Sequence, residues 1–189
     1  MTSLRVAIIA GVALIVALIG VLAVLITRPP DEPAGAPAPG APPAAAQAVS
    51  RTIKARLFYV SADGLGLTSI ERDVRFGDGA EQAREIVAAQ IAPVAAPLVS
   101  AVPAGTRMRA LFLTDRGDAY VDLSREAVTA HTGGTLDELL TVYTIVNALT
   151  VNMPAVRSVQ ILVEGKEVQT LAGHVDLRQP LAKNLGLVQ

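Results

Sequence analysis

The sequence predicts an α+β fold, a small mixed or antiparallel sheet packed with two or three helices and preceded by a transmembrane helix. Three observations carry this expectation. Val6 to Ile26 is an apolar run of 21 residues, residues 29–50 hold seven of the twelve prolines, and residues 51–189 mix period-two runs with stretches of helical periodicity. The chain of 189 residues is thereby divided into a short tail (1–5), a membrane helix (6–26), a Pro/Ala-rich linker (27–50) and one domain (51–189).

At about 1.5 Å per residue, the apolar run spans a hydrocarbon core of roughly 30 Å. A cleaved leader would have a shorter apolar region followed closely by small residues, whereas Thr27, Arg28 and Pro29 follow here. Arg5 and the N-terminal amine outweigh Arg28, which favours a short cytoplasmic tail. The expected location is the cytoplasmic (inner) membrane as a single-pass protein, with the domain exported to the periplasmic or cell-wall side. In extended polyproline geometry, residues 29–50 reach up to roughly 70 Å from the bilayer.

Within the domain, Ile53, Ala55, Leu57 and Tyr59 alternate with Lys54, Arg56 and Phe58 as a strand does. Asp63 to Gly66 reads as a turn, and Ile70, Val74 and Phe76 mark a second strand. Asp78, with Glu81 three residues later, is placed to cap a helix whose Ala83, Val87 and Ile91 share a face and which Pro93 and Pro97 end. Arg107 to Thr114 and Ala119 to Leu123 form a hairpin. Its turn contains Arg116, Gly117 and Asp118, an adhesion-like triplet that a glycine turn between two strands explains. Thr135 and Glu138 have capping-box spacing at the head of a longer helix that stops before Pro154. Its apolar face is Leu136, Leu139, Leu140, Tyr143 and Val146, with Asp137, Thr141 and Thr144 turned away and Asn147 near the centre of the apolar face. Val159, Ile161 and Val163 make a further strand, and Glu164 to Lys166 a turn.

Chemistry has little material. The chain has no cysteine and two histidines, His131 and His174, which removes disulfides, thiolate metal sites and a cysteine nucleophile. The domain's 14 basic and 15 acidic residues give no charged face suited to nucleic acid. His174 and Asp176 share a face if their segment is extended, but two ligands do not close a zinc site. Ser124 reads as a helix N-cap rather than a nucleophile, and Asn147 as a buried amide bonded to neighbouring backbone. The six aromatics, Phe58, Tyr59, Phe76, Phe112, Tyr120 and Tyr143, fall nearly all on core patterns, which disfavours a glycan platform. No catalytic, cofactor-binding or metal residue is assigned, and no cofactor is expected.

Four stretches together resemble the GerMN domain family of sporulation and germination proteins. They run from Ala55 to Val74, Pro103 to Val128, Leu139 to Thr150 and Val156 to Leu181. The most specific are the strand end Tyr120 to Ser124, the helix segment Ile145 to Thr150, and the strand Val159 to Gly165 with Gly173, His174 and Asp176 after it. The resemblance implies a small α+β domain on an exported, envelope-associated protein that takes part in a multi-protein assembly. Two departures are a single domain copy in place of a tandem pair, and a membrane helix in place of a lipid-carrying cysteine. The expected function is therefore non-catalytic: a membrane-anchored scaffold whose domain mediates protein–protein assembly with other envelope proteins and with itself. Peptidoglycan or cell-wall binding is the alternative, and a cryptic hydrolase the least favoured reading.

Overall fold

The computed structural model describes residues 51–189. The expectations for the 1–5 tail, the 6–26 membrane helix and the 27–50 linker lie outside the described residues. Among the described residues, no helix is long and apolar enough to cross a membrane.

Strands β1 (Thr52–Val60) and β2 (Leu67–Arg75) form an antiparallel pair in unbroken register from Thr52↔Arg75 to Val60↔Leu67. The turn between them is built on Asp63, whose Oδ1 accepts the Ser61 hydroxyl at 2.6 Å and the Leu65 N–H at 3.0 Å. Helix α1 (Ala80–Ile91) follows. Asp78 does not cap it: Gly79, at φ 50, holds the N-cap position, and Asp78 contributes only its carbonyl to the Glu81 N–H.

A second sheet has five strands: β3 (Met108–Leu113), β4 (Asp118–Leu123), β5 (Ser158–Val163), β6 (Lys166–Glu167) and β7 (Leu181–Ala182). Their order is β3-β4-β5-β6, with β7 also on β5. The expected hairpin β3–β4 is present, with a register shift between Met108 and Ala110. At its turn Gly117 has φ 87, and a Cβ there would stand 2.6 Å from the Ala155 carbonyl oxygen. Only glycine fits that approach, so the Arg-Gly-Asp triplet has a structural cause. Strand β4 pairs parallel with β5. The short helix α2 (Glu126–Thr129) and the long helix α3 (Thr135–Asn152) supply the crossover that a parallel pair requires. The single small sheet of the sequence expectation is thus two sheets, packed with three helices.

Helix α3 touches β1, β5, β7 and α1. Neighbours on several sides explain why Leu140 to Thr150 is buried at every position but Tyr143. The expectation of one apolar face with Thr141 and Thr144 turned to solvent is therefore corrected. Both threonines are buried, and their hydroxyls donate to the Ala101 and Phe58 carbonyls at 2.6 and 3.1 Å. Asn147 is buried as expected: its amide donates to the Asn184 carbonyl at 2.8 Å and accepts the Asn184 N–H at 3.0 Å.

The edge of β1 away from β2 is closed without a strand. Gln90 of α1 accepts the Phe58 N–H at 2.8 Å and donates to the Phe58 carbonyl at 2.7 Å. Asn152 of α3 does the same for Arg56, at 2.8 Å in both directions. A side-chain amide has the donor and acceptor of a peptide group, so two of them replace two rungs of a missing ladder.

Asn147→Leu keeps the branching and heavy-atom count of the side chain but leaves both Asn184 backbone groups without their partner. We expect a loss of about 1–3 kcal/mol, read as a lowered midpoint in thermal or urea unfolding; an unchanged midpoint would show that Asn184 finds water at no cost.

Candidate functional site

The segment from Ala92 to Thr106 leaves α1 at Pro93, because the residue before a proline favours extended backbone and cannot continue a helix. It is tied at two points: the Val60 N–H donates to the Val99 carbonyl at 2.9 Å, and Thr141 holds the Ala101 carbonyl. Between this segment and the head of α3 lies a cleft of about 780 Å³. Ile91, Val94, Leu98, Val99 and Leu140 make its apolar lining, and His131, Asp137 and Thr141 stand among its polar residues. Val99 is 57% exposed.

His131 is fixed by its two ring nitrogens. Nδ1 accepts the Gly133 N–H at 3.0 Å, so in the neutral ring the proton sits on Nε2, which faces the Thr141 hydroxyl at 3.2 Å. Neither nitrogen is left for a ligand. Asp137 accepts the Thr132 hydroxyl at 3.4 Å, and among the described residues no cation pairs with it. The cleft therefore offers apolar surface and one uncompensated carboxylate, which suits docking of a partner side chain better than bond making.

Glu138, one residue further on, faces the opposite task. Thr135 is already the first helical residue, Gly134 occupies the N-cap, and no side-chain cap bond forms. The expected capping box is thus absent, and Glu138 is fully buried. Its Oε1 accepts the Leu171 N–H and its Oε2 the His174 N–H, each at 2.7 Å, while His174 Nδ1 stands 3.2 Å from Oε2. Burial alone would raise the Glu138 pKa; the backbone N–H groups of Ala172, His174, Leu171 and Val175 outweigh it and hold the carboxyl below the ordinary range.

The other residues singled out in the sequence are distributed rather than convergent. His174 and Asp176 are split, since their segment forms no strand. His174 turns to Glu138, whereas Asp176 pairs with Arg178 at 2.6 Å and has its pKa lowered to about 2 by that guanidinium. Ser124 does not cap α2. Its hydroxyl accepts the Arg107 N–H at 3.0 Å and its own N–H donates to the Arg107 carbonyl at 2.8 Å, which extends the β3–β4 ladder by one rung. Among the aromatics, Phe58 and Tyr59 are core, but Phe112 is 60% exposed and lies opposite Tyr120 in the β3–β4 register. The expectation that nearly all six aromatics are core is thus corrected for Phe112 and for Phe76, which is 36% exposed; a strand alternation names two faces without saying which is covered.

Glu138→Gln keeps the shape of the clamp and removes its charge. We expect a loss of about 1.5–3 kcal/mol at neutral pH, the range for hydrogen bonds to a charged group. A carboxyl whose pKa is depressed on folding stabilises the fold above its unfolded value, near 4.5, and loses that contribution as the pH falls through the folded value. The gap between wild type and variant should thus be widest above pH 5 and shrink below pH 4 in urea unfolding. A gap independent of pH would show that the carboxylate charge is not what holds the loop.

Residues 56–169 match the Germane family, described as sporulation and spore germination. No curated protein matches the chain. Among solved structures, a protein from Clostridium perfringens described as a lipoprotein has a TM-score of 0.51 at 21% identity, covering 70% of this chain and 88% of that one. The tandem GerMN domains of the sporulation protein GerM from Bacillus subtilis also give 0.51, at 16% identity, covering 71% of this chain and 46% of that one. This chain thus spans about half the length of the tandem, and at these identities both likenesses are of fold. With more than half of its residues matched, the chain belongs to the Germane family of sporulation and spore germination domains.

Proposed function

We propose that this is a non-catalytic, membrane-anchored envelope protein whose exported domain builds protein assemblies. One observation supports it most directly. Most of the side chains that chemistry would need are held by the fold itself: His131 at both ring nitrogens by Gly133 and Thr141, His174 at Nδ1 by Glu138, Ser124 by Arg107, and Asp176 by Arg178. The apolar cleft beside Asp137 is meanwhile free to dock a partner. Membership of a sporulation and germination family, with a lipoprotein and GerM among the proteins of similar fold, supports an envelope setting. The apolar run 6–26 supports an anchor in the cytoplasmic membrane.

The test is crosslinking of the full-length protein in intact cells, with photo-reactive residues placed across the 51–189 surface and adducts identified by mass spectrometry. Protein adducts clustered around the cleft are expected, and Val99→Asp should reduce them about tenfold or more by placing a charge where about 1.5–3 kcal/mol of apolar contact is made. Adducts scattered over the surface, or unaffected by Val99→Asp, would remove the cleft from the account. A wall-binding reading keeps one observation in its favour, the exposed Phe112 beside Tyr120, since a sugar ring stacks on such a platform. Retention on peptidoglycan that is lost on Phe112→Ala would put that reading first.

A further inference from the structure

The cleft between the 92–106 segment and the head of α3 has two features that narrow what can fill it, one on each wall. The first is backbone. Val99 is an antiparallel bridge partner of Val60 at the end of β1, and the Val60 N–H donates to its carbonyl at 2.9 Å. Consecutive residues of a strand send their peptide groups to opposite sides, so those of Ser100 point away from β1. Ser100 lines the cleft, and among the described residues neither its N–H nor its carbonyl has a hydrogen-bond partner. Its hydroxyl is engaged elsewhere, accepting the Val102 N–H at 3.1 Å and donating to the Val102 carbonyl at 3.3 Å. The next carbonyl, of Ala101, is taken by Thr141. One residue thus offers a donor and an acceptor side by side, the pair that a single residue of an incoming antiparallel strand satisfies.

The second feature is charge. Asp137 is the only acidic, Lys or Arg side chain in the lining, and among the described residues its carboxylate meets only the Thr132 hydroxyl, at 3.4 Å. Leu98, Val99 and Leu140 supply apolar surface in the same cleft. A lone carboxylate beside such surface attracts a cation and repels an anion, and it fixes which partners fit more than how tightly they hold. The same rule discriminates among occupants. Residues 29–50 hold Asp31 and Glu32 and neither Lys nor Arg, so the proline-rich stretch, whether of this chain or of a second copy, carries the wrong sign. Its seven prolines also lack the N–H that the Ser100 carbonyl would accept.

We propose that the cleft takes an extended segment of a different protein, one that carries a bulky aliphatic side chain close to a Lys or Arg. One residue of the segment exchanges both backbone hydrogen bonds with Ser100, the aliphatic group packs on Leu98, Val99 and Leu140, and the cation stands at Asp137. The inference rests on the docking reading of the cleft and names the chemistry of the partner within it. The two fail separately: photo-crosslinks that cluster around the cleft and fall with Val99→Asp keep docking, whatever the charge of the partner.

The test pans a random decapeptide library on the full-length protein in detergent micelles and measures the most enriched peptide by fluorescence anisotropy. Enriched peptides are expected to pair Leu, Ile or Val with a Lys or Arg within a few residues. Asp137→Asn should weaken the peptide severalfold, a difference that disappears in high salt, and panning on Asp137→Lys should enrich acidic residues in place of basic ones. N-methylation of the peptide bonds one at a time should cost about tenfold or more at one position, the N–H that meets the Ser100 carbonyl. The salt and N-methylation measurements need only the wild-type protein, so they decide the matter even if a variant misfolds. Peptides enriched without a basic residue, a basic preference that survives Asp137→Lys in a folded variant, affinity indifferent to N-methylation at every position, or enrichment no greater than on empty micelles would each overturn the proposal. Crosslinks at the cleft that join only copies of this chain would overturn it as well.

Discussion

The structure depends on one constraint, that a helix packed against neighbours on several sides cannot leave its polar side chains to water. From Leu140 to Thr150, α3 is buried at every residue but Tyr143, yet it carries Thr141, Thr144, Asn147 and Thr150 in that stretch. Each needs a partner inside the protein or costs free energy. The partners are mostly backbone groups that no ladder satisfies: Ala101 in the cleft segment, Phe58 on the β1 edge, and Asn184 near the far end of the chain. Glu138 and Asn152, near the two ends of the helix, do the same for Leu171, His174 and Arg56. Buried polarity in α3 and irregular backbone around it thus complete each other, and neither would be stable alone.

This arrangement explains how a domain with short strands holds long irregular segments in place. The cleft segment 92–106 and the outer segment 170–189 are both fastened by α3, one through Thr141 and the other through Glu138 and Asn147. The two segments therefore share one helix as their support. The same allocation leaves Thr141, Asn147 and Glu138 engaged with backbone, while Val99 and Phe112 remain exposed.

Much of the fold was legible because period and turn chemistry are local. The β1 alternation, the hairpin around Gly117, and the stop before Pro154 are each written within a few residues, and the structure places them within a residue or two of expectation. The fate of a side chain was less legible, because it depends on what arrives from elsewhere in the chain. Thr141 and Thr144 look like a solvent face until the 92–106 segment and the β1 edge cover them. Glu138, three residues after Thr135, carries the same spacing whether it caps its own helix or reaches a loop 33 residues away. Asn147 was readable because an amide in the middle of an apolar face has few alternatives. Gln90 and Asn152 carried no comparable signal; their role exists only once β1 lies alongside both helices.

The central claim, that helix-borne side chains replace missing ladder partners, is tested most directly at the open edge of β1. Native-state amide hydrogen exchange of the full-length protein would read the N–H groups of Arg56 and Phe58, which donate to Asn152 and Gln90 and not to a strand. The account predicts that both exchange as slowly as the amides paired inside the β4–β5 ladder, through global unfolding alone. Exchange at the rate of an unpaired edge strand would contradict it, and would mean that the amide side chains cover β1 without closing it.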